Sequence, residues 1–337
     1  FDSDDPSPTQ GDDTAPDPAE GVNLDIIETG DVAGSAGNDT ISISAVLSDL
    51  SVDAGTGDDT VTVGDGAFLD TSTIAAGDGE DAINFTGEVS SISGGAGDDT
   101  ITADFARGTT ITGGTGDDVI TGVSTLSDAV VIDGGDGNDT LSSLGTDGTY
   151  SDNARLIGGA GDDVIVAAGL GSAGAAYDII ADGGAGNDTI TLATGPVTDD
   201  GLLFNVPPIS ATGGDGTDDF LFVTEMGISQ APDQTSASFR DGVATVFLGA
   251  IPDFDPATET LSIDADAAAG AGLLTTATLQ SATSNSGDPI TELTLSYENN
   301  GAATVQVLIT LGSDSVTWDD IAFVGTQTPQ LTPLAVT

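Results

Sequence analysis

The chain has 337 residues, with 56 Asp and Glu against three Lys and Arg, no His and no Cys, and a formal net charge of -53. Without His or Cys, a Ser-His triad, a thiol nucleophile, a CxxC redox pair and a His-based zinc site are all excluded. A surface this negative repels nucleic-acid phosphates, so we expect no nucleic acid partner and take cations as the natural counterpart.

The composition is nevertheless that of a folded, β-rich chain. Apolar residues make up 38%, there are 48 glycines, and Val, Ile, Leu and Thr recur in short runs. Aromatic residues make up only 4%, which predicts a thin aliphatic core. No apolar run reaches about 18 residues, so we expect no membrane span.

Residues 1–21 are rich in Pro and acidic residues and predict an extended tail or linker. Residues 22–218 are dominated by nine copies of one pattern, of which GGAGDDTIT at 94–102 is typical. In each copy the sixth position is an Asp, and successive copies of this Asp lie 18 to 30 residues apart. These nine residues are Asp39, Asp59, Asp81, Asp99, Asp118, Asp139, Asp163, Asp188 and Asp218.

Each repeat predicts one coil of a parallel β-solenoid. The glycine turn is followed by an alternating strand such as Thr60–Val63, and a second alternating strand such as Thr110–Thr112 precedes the next turn. Two strands and two turns fill about 18 residues. Longer coils therefore carry loops between the two strands, opposite the glycine turns, and the largest are 171–178 and 195–208.

After Asp218 the repeat stops. Residues 219–327 predict conventional strands, which we interpret as a C-terminal β-rich module that caps the open solenoid edge, and residues 328–337 predict a loose tail. Trp318 is interpreted as a core residue of this module, with sugar stacking as the alternative. The predicted fold class is all-β: a one-sided parallel β-solenoid with this cap.

The repeated turn predicts a metal site. Glycine at the first, second and fourth positions allows a tight turn that aims carbonyl oxygens toward one point, where the sixth-position Asp adds a carboxylate. Acids in register on coils about 4.8 Å apart repel each other, and a divalent cation between turns removes the conflict. Calcium accepts six to eight oxygen ligands, whereas magnesium prefers a smaller octahedral shell and soft metals prefer His or Cys. The alternative is a solvated acidic face.

The units resemble the G-G-x-G-x-D-x-U-x calcium repeats of the repeats-in-toxin (RTX) family, which form a parallel β-roll. The stretches GGDGTDDFLF (213–222) and IPDFDPATETLSID (251–264) are similar to the block that ends the β-roll of serralysin-type secreted peptidases. The resemblance implies that carbonyls of the first four turn residues and the sixth-position Asp hold calcium. It also implies type I secretion with an uncleaved C-terminal signal.

The candidate carbonyl ligands at the second and fourth positions are Gly37, Gly55, Gly57, Gly77, Gly79, Gly95, Gly97, Gly114, Gly116, Gly135, Gly137, Gly159, Gly161, Gly184, Gly186, Gly214 and Gly216. One motif per coil, rather than the tandem repeats of the family, predicts a single row of about eight calcium sites. Ser35, Ala54 and Ala76 replace glycine in the early turns. The fifth-position acids Asp58, Asp98, Asp117 and Asp162 are expected to be solvated rather than direct ligands.

We therefore expect a secreted, non-enzymatic calcium-binding structural or adhesive protein that folds on calcium after export. Self-association into an oligomer or filament, and contact with cell-surface polysaccharide through calcium, are the partner hypotheses. One alternative is a carbohydrate-active or carbohydrate-binding protein, since carboxylate pairs suffice for many glycosidases. Another is an ice-binding solenoid that uses the external pairs Thr40/Ser42, Thr60/Thr62, Thr100/Thr102, Thr140/Ser142 and Thr189/Thr191, which Ala82, Val119, Val164 and Val166 interrupt.

Overall fold

The structure is a computed structural model. It describes residues 21–64, 68–87, 91–104, 108–124, 129–145, 151, 153–169, 179–194, 209–224, 239–240, 243–264, 273–298, 304–325 and 329–335. The loops predicted at 171–178 and 195–208, and residues 1–20 of the predicted N-terminal tail, lie outside these ranges. Within them the fold is all-β, with one 3-10 turn at Trp318–Asp320.

The first strands, in chain order, are β1 (Asn23–Ile26), β2 (Asp31–Ser35), β3 (Thr40–Ile43), β4 (Val46–Ser48), β5 (Ser51–Thr56), β6 (Thr60–Val63), β7 (Phe68–Asp70), β8 (Thr73–Asp78), β9 (Ala82–Thr86) and β10 (Ser91–Ala96). The central strands are β11 (Thr100–Asp104), β12 (Thr110–Thr115), β13 (Val119–Gly122), β14 (Val130–Asp136), β15 (Thr140–Ser142), β16 (Ala154–Ala160), β17 (Val164–Gly169), β18 (Ile179–Ala185), β19 (Thr189–Thr194), β20 (Ile209–Asp215) and β21 (Asp219–Thr224). The last strands are β22 (Phe239–Arg240), β23 (Val243–Ile251), β24 (Thr260–Asp264), β25 (Leu273–Thr283), β26 (Pro289–Glu298), β27 (Thr304–Leu311), β28 (Ile321–Val324) and β29 (Gln330–Ala335).

Two long sheets form the solenoid. Sheet A contains the nine strands that follow the glycine turns, from β3 to β21, together with β1, β24 and β28, in the order β1-β3-β6-β9-β11-β13-β15-β17-β19-β21-β24-β28. Sheet B contains the strands that precede the turns, β2-β5-β8-β10-β12-β14-β16-β18-β20-β23, and continues through β27, β26, β25 and β29. Neighbouring strands in sheet A are parallel and in register, so each coil repeats the position of the one before. The predicted parallel β-solenoid is confirmed.

The core is a stack of aliphatic side chains between the two sheets. Inward residues of sheet A occupy matched positions in successive coils, as Ile101, Ile120 and Leu141 do, and all three are completely buried. Ile92 and Ile111 on sheet B meet them from the other side. Complete burial of each such side chain stabilises the fold by about 1.5–3 kcal/mol. The alternation of these residues with Thr and Ser explains why the segments form strands with one buried face.

The core changes character at the C-terminal end. Phe220 and Phe254 are almost fully buried and meet edge to face, with ring centroids 6.3 Å apart. Beyond β23, which pairs parallel with β27, sheet B continues through β26 and β25 in antiparallel pairing. Trp318 is partly buried against the core and lies 6.3 Å from Phe323 between ring centroids.

The structure differs from the sequence prediction at two places, the end of the solenoid at Asp218 and the C-terminal segment 328–337. Sheet A continues without a break past Asp218, since β24 pairs parallel with β21 and β28 pairs parallel with β24. The coil therefore persists after the glycine turns have ended, because its strands keep the same inward periodicity. The segment expected to be a loose tail contains β29, which pairs with β25.

Candidate functional site

The coil presents the repeated motif at the junction of the two sheets. Its first three positions extend the strand of sheet B, as Gly113–Thr115 do in β12, and the chain then turns through the fourth to sixth positions into sheet A. The sharp change of direction requires a positive φ at the second and fourth positions. Gly114 and Gly116, for example, have φ of 130° and 126°, a region that residues with a Cβ resist. The turn between the two strands therefore covers only the fourth to sixth positions, whereas the glycine pattern predicts a turn that begins at the first position.

The sixth-position Asp side chains form an inward-facing ladder along this junction. All nine are buried, with 0–2% of their surface exposed. Oδ1 of each of the last eight accepts a hydrogen bond from the backbone N–H of the equivalent Asp in the preceding coil, at 2.7–2.9 Å. The structure therefore brings the nine predicted aspartates into one continuous row.

The second carboxylate oxygen of most rungs has no partner among the described residues. Oδ2 is buried without a hydrogen bond in eight rungs: Asp59, Asp81, Asp99, Asp118, Asp139, Asp163, Asp188 and Asp218. A buried carboxylate oxygen without a donor is costly, since it has lost its hydration and gained nothing in return. Eight such atoms on one line are a repeated feature of the coil that requires a physical explanation.

The electrostatics of the ladder are unfavourable for ionised carboxylates. Burial raises the pKa of Asp99 and Asp163 to about 7, and neighbouring carboxylates add to the rise while the donated N–H opposes it. Burial likewise raises the pKa of three further rungs to about 6, at Asp59, Asp118 and Asp188. Unit charges about 4.8 Å apart repel by roughly 3 kcal/mol at an effective dielectric constant of about 20. The bare ladder therefore favours either protons or a compensating cation.

In four of these turns, a backbone carbonyl of the next coil lies close to the space that the unpartnered oxygen faces. A Cβ added to Gly134 would lie 2.2 Å from Oδ2 of Asp139 and 2.7 Å from the carbonyl oxygen of Gly158, the first-position residue of the next coil. The same pair of contacts recurs at Gly113, where Oδ2 of Asp118 and the carbonyl of Gly134 would be met. First-position glycines thus allow a carboxylate and a carbonyl from two coils to approach each other closely.

The resemblance implies ligation by the carbonyls of the first four turn residues, and these first-position carbonyls belong to that set, although the candidate glycines named above are only those of the second and fourth positions. The predicted carbonyls of the second and fourth positions lie beside the equivalent glycines of the next coil. The carbonyl of Gly95 points at the α-carbon of Gly114, and that of Gly97 at the α-carbon of Gly116, where an added Cβ would lie only 2.0 and 2.3 Å away. These carbonyls therefore form two separate columns that run along the stack.

The first rung differs from the others. Oδ2 of Asp39 accepts the backbone N–H of Ser35 at 2.5 Å, and Oδ1 accepts the Ser35 hydroxyl at 2.8 Å and the Val22 N–H at 2.6 Å. Val22 occupies the sixth position of the coil before, since its carbonyl accepts the N–H of Thr40. Both oxygens of Asp39 are therefore satisfied by the chain itself.

The chain was compared with known protein families and with curated proteins. No family model matches it, and no curated protein matches it either. The geometry alone is compatible with a β-roll, since it combines a parallel solenoid with a ladder of buried aspartates.

The fifth-position residues form a second ladder on the exposed side of the turns. Oδ1 of Asp98 accepts the backbone N–H of Asp117 at 2.8 Å, and Oδ1 of Asp117 accepts that of Asn138 at 2.8 Å. Oδ1 of Asp162 likewise accepts the N–H of Asn187 at 2.7 Å. The side chain in this row belongs to the earlier coil, whereas in the buried ladder it belongs to the later one. The fifth-position acids are thus exposed, as expected. They also accept hydrogen bonds that connect neighbouring coils, a role that was not predicted from the sequence.

Side chains alone do not form a metal centre in the part of the chain that the structure describes. No group of three or more acidic side chains there lies close enough together to hold an ion. Any cation on the ladder would take many of its ligands from the backbone. Nor do the described ranges contain a helix long and apolar enough to cross a membrane.

Proposed function

We propose that this chain is a secreted calcium-binding structural or adhesive protein with a β-roll of the RTX type. The observation that carries the proposal is the row of eight buried Oδ2 atoms without a hydrogen-bond donor. A row of divalent cations would explain why this costly arrangement is repeated in coil after coil. Protonation of the same oxygens is the competing explanation, and calcium titration separates the two.

The chemistry of the donor atoms fits calcium. Every candidate ligand is a carboxylate or carbonyl oxygen, and no His or Cys exists to favour a softer metal. The residues that would hold the ions are the sixth-position aspartates from Asp59 to Asp218, with first-position carbonyls such as that of Gly158 facing the same space. A bound calcium ion would supply the positive charge and the coordination that these oxygens lack.

Folding and metal binding are coupled in this proposal. At low calcium the charged rungs repel each other, and the entropy of the open chain opposes stacking. Where calcium is abundant, binding to the folded ladder alone shifts the equilibrium toward the stacked coils. This behaviour suits a protein that leaves the cell unfolded through a type I secretion system and folds outside.

The structural or adhesive role is the simplest use of such a rod. The exposed faces of the described coils remain strongly acidic, so calcium could also bridge the rod to a second copy or to an acidic surface polysaccharide. Self-association on addition of calcium, followed by electron microscopy, tests the filament hypothesis.

Circular dichroism tests the core of the proposal. The full chain is first stripped with a chelator and then titrated with calcium, with magnesium as the matched control. We expect a largely unordered spectrum to become a β-sheet spectrum with calcium and to change much less with magnesium. An unchanged spectrum would contradict the proposal.

One observation favours ice binding as a second candidate. The exposed outer face of sheet A carries hydroxyl side chains in register, as at Thr40 and Thr60, which are paired across β3 and β6. The column is broken by Ala82, Val119 and Val164 at the same register position. A thermal hysteresis measurement on the calcium-loaded protein tests this candidate, since an ice-binding face predicts a measurable difference between the melting and freezing temperatures of the solution.

A further inference from the structure

The ladder geometry continues for one coil beyond the last glycine turn. Strand β24 pairs with β21 so that Thr260 lies opposite Asp219. The N–H of Thr260 donates to the carbonyl of Asp218 at 2.9 Å, just as the N–H of Asp219 donates to the carbonyl of Asp188 at 2.8 Å. Glu259 therefore occupies the sixth position of a tenth coil, although its turn lacks the glycine pattern.

Glu259 is buried as the ladder residues are, although the hydrogen bond that it accepts comes from its own turn and not from the preceding coil. Only 7% of it is exposed, and Oε2 accepts the backbone N–H of Asp255 at 2.8 Å. Burial raises the pKa of Glu259 to about 7, with the charges of Asp253 and Asp218 adding to the rise.

Asp218 in the preceding coil has an unused oxygen. Its Oδ1 accepts the N–H of Asp188 at 2.8 Å, while Oδ2 is buried without a partner and Asp218 as a whole is 0% exposed. Oδ2 faces Gly213, since a Cβ added there would lie 2.2 Å from it. The carboxylate of Asp253 accepts the N–H groups of Gly213 and Gly214, the latter at 3.3 Å, and so closes the last glycine turn.

We propose that Glu259 is the tenth rung of the ladder and that, together with Asp218, it holds a further divalent cation at the C-terminal end of the row. This inference rests on the proposed calcium function. The site would take carboxylate oxygens from two adjacent coils, and Asp253 positions the turn without being a ligand.

The end of the row opens toward solvent. A cavity of about 330 Å³ lies between the tenth coil and the start of β28, lined by Glu259, Asp319 and Asp320. Trp318 directly precedes these last two acids and is the single tryptophan of the chain. Because Trp318 adjoins two residues that line this cavity, we expect an ion at the terminal site to lie closer to Trp318 than ions at the interior sites, which are one or more coils further away.

Terbium luminescence tests the inference in the full chain. Terbium replaces calcium at oxygen sites and emits when a nearby tryptophan is excited, so excitation that selects tryptophan over tyrosine reports on the terminal site. We expect strong emission from the unaltered protein, displaced by calcium. Glu259→Gln should lose most of the emission and bind about one calcium fewer per chain. Glu292→Gln on β26, the same chemical change away from the ladder, is the matched control and should keep both.

The outcomes separate the two proposals. If the unaltered chain binds no calcium at all, the proposed function and this inference both fail. If it binds calcium but Glu259→Gln keeps the emission and the full number of ions, only the tenth rung is overturned. Should Glu259→Gln not fold in calcium, Glu259→Asp decides, since it places the ladder's own side chain at this position. A folded Glu259→Asp protein is expected to emit, and its failure to do so would overturn the inference.

Discussion

The backbone N–H of Asp99 donates to Oδ1 of Asp118 in the next coil at 2.8 Å. Each rung from Asp59 to Asp218 therefore uses one carboxylate oxygen to bind the main chain of the preceding coil and leaves the other oxygen without a partner. The ladder consequently has a direction, because the carboxylate of a later coil always satisfies the N–H of an earlier one. A cation and the main chain do not compete for the same oxygen, so folding and metal binding can reinforce each other.

Replacing an interior rung should weaken calcium-dependent stability. Asp118→Asn keeps an Oδ1 acceptor for the N–H of Asp99 but removes the charge. We expect calcium stabilisation to fall by about 2.7 kcal/mol at a free calcium concentration of about 100 Kd, with little loss of stability in the metal-free protein. Urea unfolding with and without calcium measures both quantities.

The adjacent Asp117 provides the control for that variant. Its side chain is exposed and already accepts hydrogen bonds from Asn138, and Asp117→Asn removes the same charge one residue away. We expect calcium stabilisation to change much less. Equal losses in the two variants would show that overall charge, and not the buried row, governs the response.

The first rung should matter less for calcium than the interior ones. Both oxygens of Asp39 accept hydrogen bonds from Ser35 and Val22, so no oxygen is left over. We expect Asp39→Asn to destabilise the protein similarly with and without calcium, and to leave the number of bound ions unchanged in isothermal titration calorimetry. A loss of bound calcium equal to that of Asp118→Asn would contradict this expectation.

The spacing of the aspartates was sufficient to predict the coil, its parallel strands and the common row of Asp39 to Asp218. A glycine turn repeated every 18 to 30 residues leaves few other folds. The direction of the hydrogen bonds between successive ladder aspartates could not be predicted, because it depends on the exact position of each turn relative to the turn of the next coil. Glu259 could have been found, because ETLSID at 259–264 has the same form as DTISIS at 39–44. It was not predicted, because the turn before Glu259 lacks the glycine pattern that identified the other nine positions.

The metal-free protein should become less stable as pH rises. Burial raises the pKa of Asp99 and Asp163 to about 7 from an ordinary 3.8, so the folded state holds protons that the unfolded state releases. The stability that these protons provide is fully present below about pH 4 and is lost progressively up to about pH 7. Thermal unfolding in chelator across this range measures the slope.

Calcium should reverse that dependence, because the ligand oxygens must be deprotonated to bind it. In saturating calcium we expect the melting temperature to rise between about pH 4 and pH 7. The variant Asp117→Asn should keep the opposite slopes of the two states. Parallel slopes with and without calcium would mean that the buried row does not bind the ion.

The second-position glycines should be intolerant of any side chain. Gly135 has φ of 115°, and a Cβ added to it would lie 2.1 Å from the carbonyl oxygen of Gly114. We expect Gly135→Ala to cost about 3 kcal/mol, from backbone strain and the enforced separation of two coils. Gly64→Ala is the control, since the atom nearest to its added Cβ, the carbonyl oxygen of Ile43, would lie 3.6 Å away in ordinary van der Waals contact. Unfolding in saturating calcium should show a large loss for Gly135→Ala and little change for Gly64→Ala.

The two faces of sheet A should respond differently to truncation at adjacent positions. Ile120 is completely buried in the aliphatic stack between Ile101 and Leu141, whereas Val119 is 46% exposed on the outer face. Ile120→Ala leaves a cavity that the rigid coils on either side cannot close, so we expect a loss of about 2–5 kcal/mol in the free energy of unfolding. Val119→Ala should change the free energy of unfolding by less than about 0.5 kcal/mol, since the site is at the surface.

Hydrogen exchange should show that the effect of Ile120→Ala is local. In a solenoid each coil contacts only its neighbours, so we expect reduced protection of backbone amides near β11, β13 and β15. Protection lost evenly along the chain would contradict this expectation.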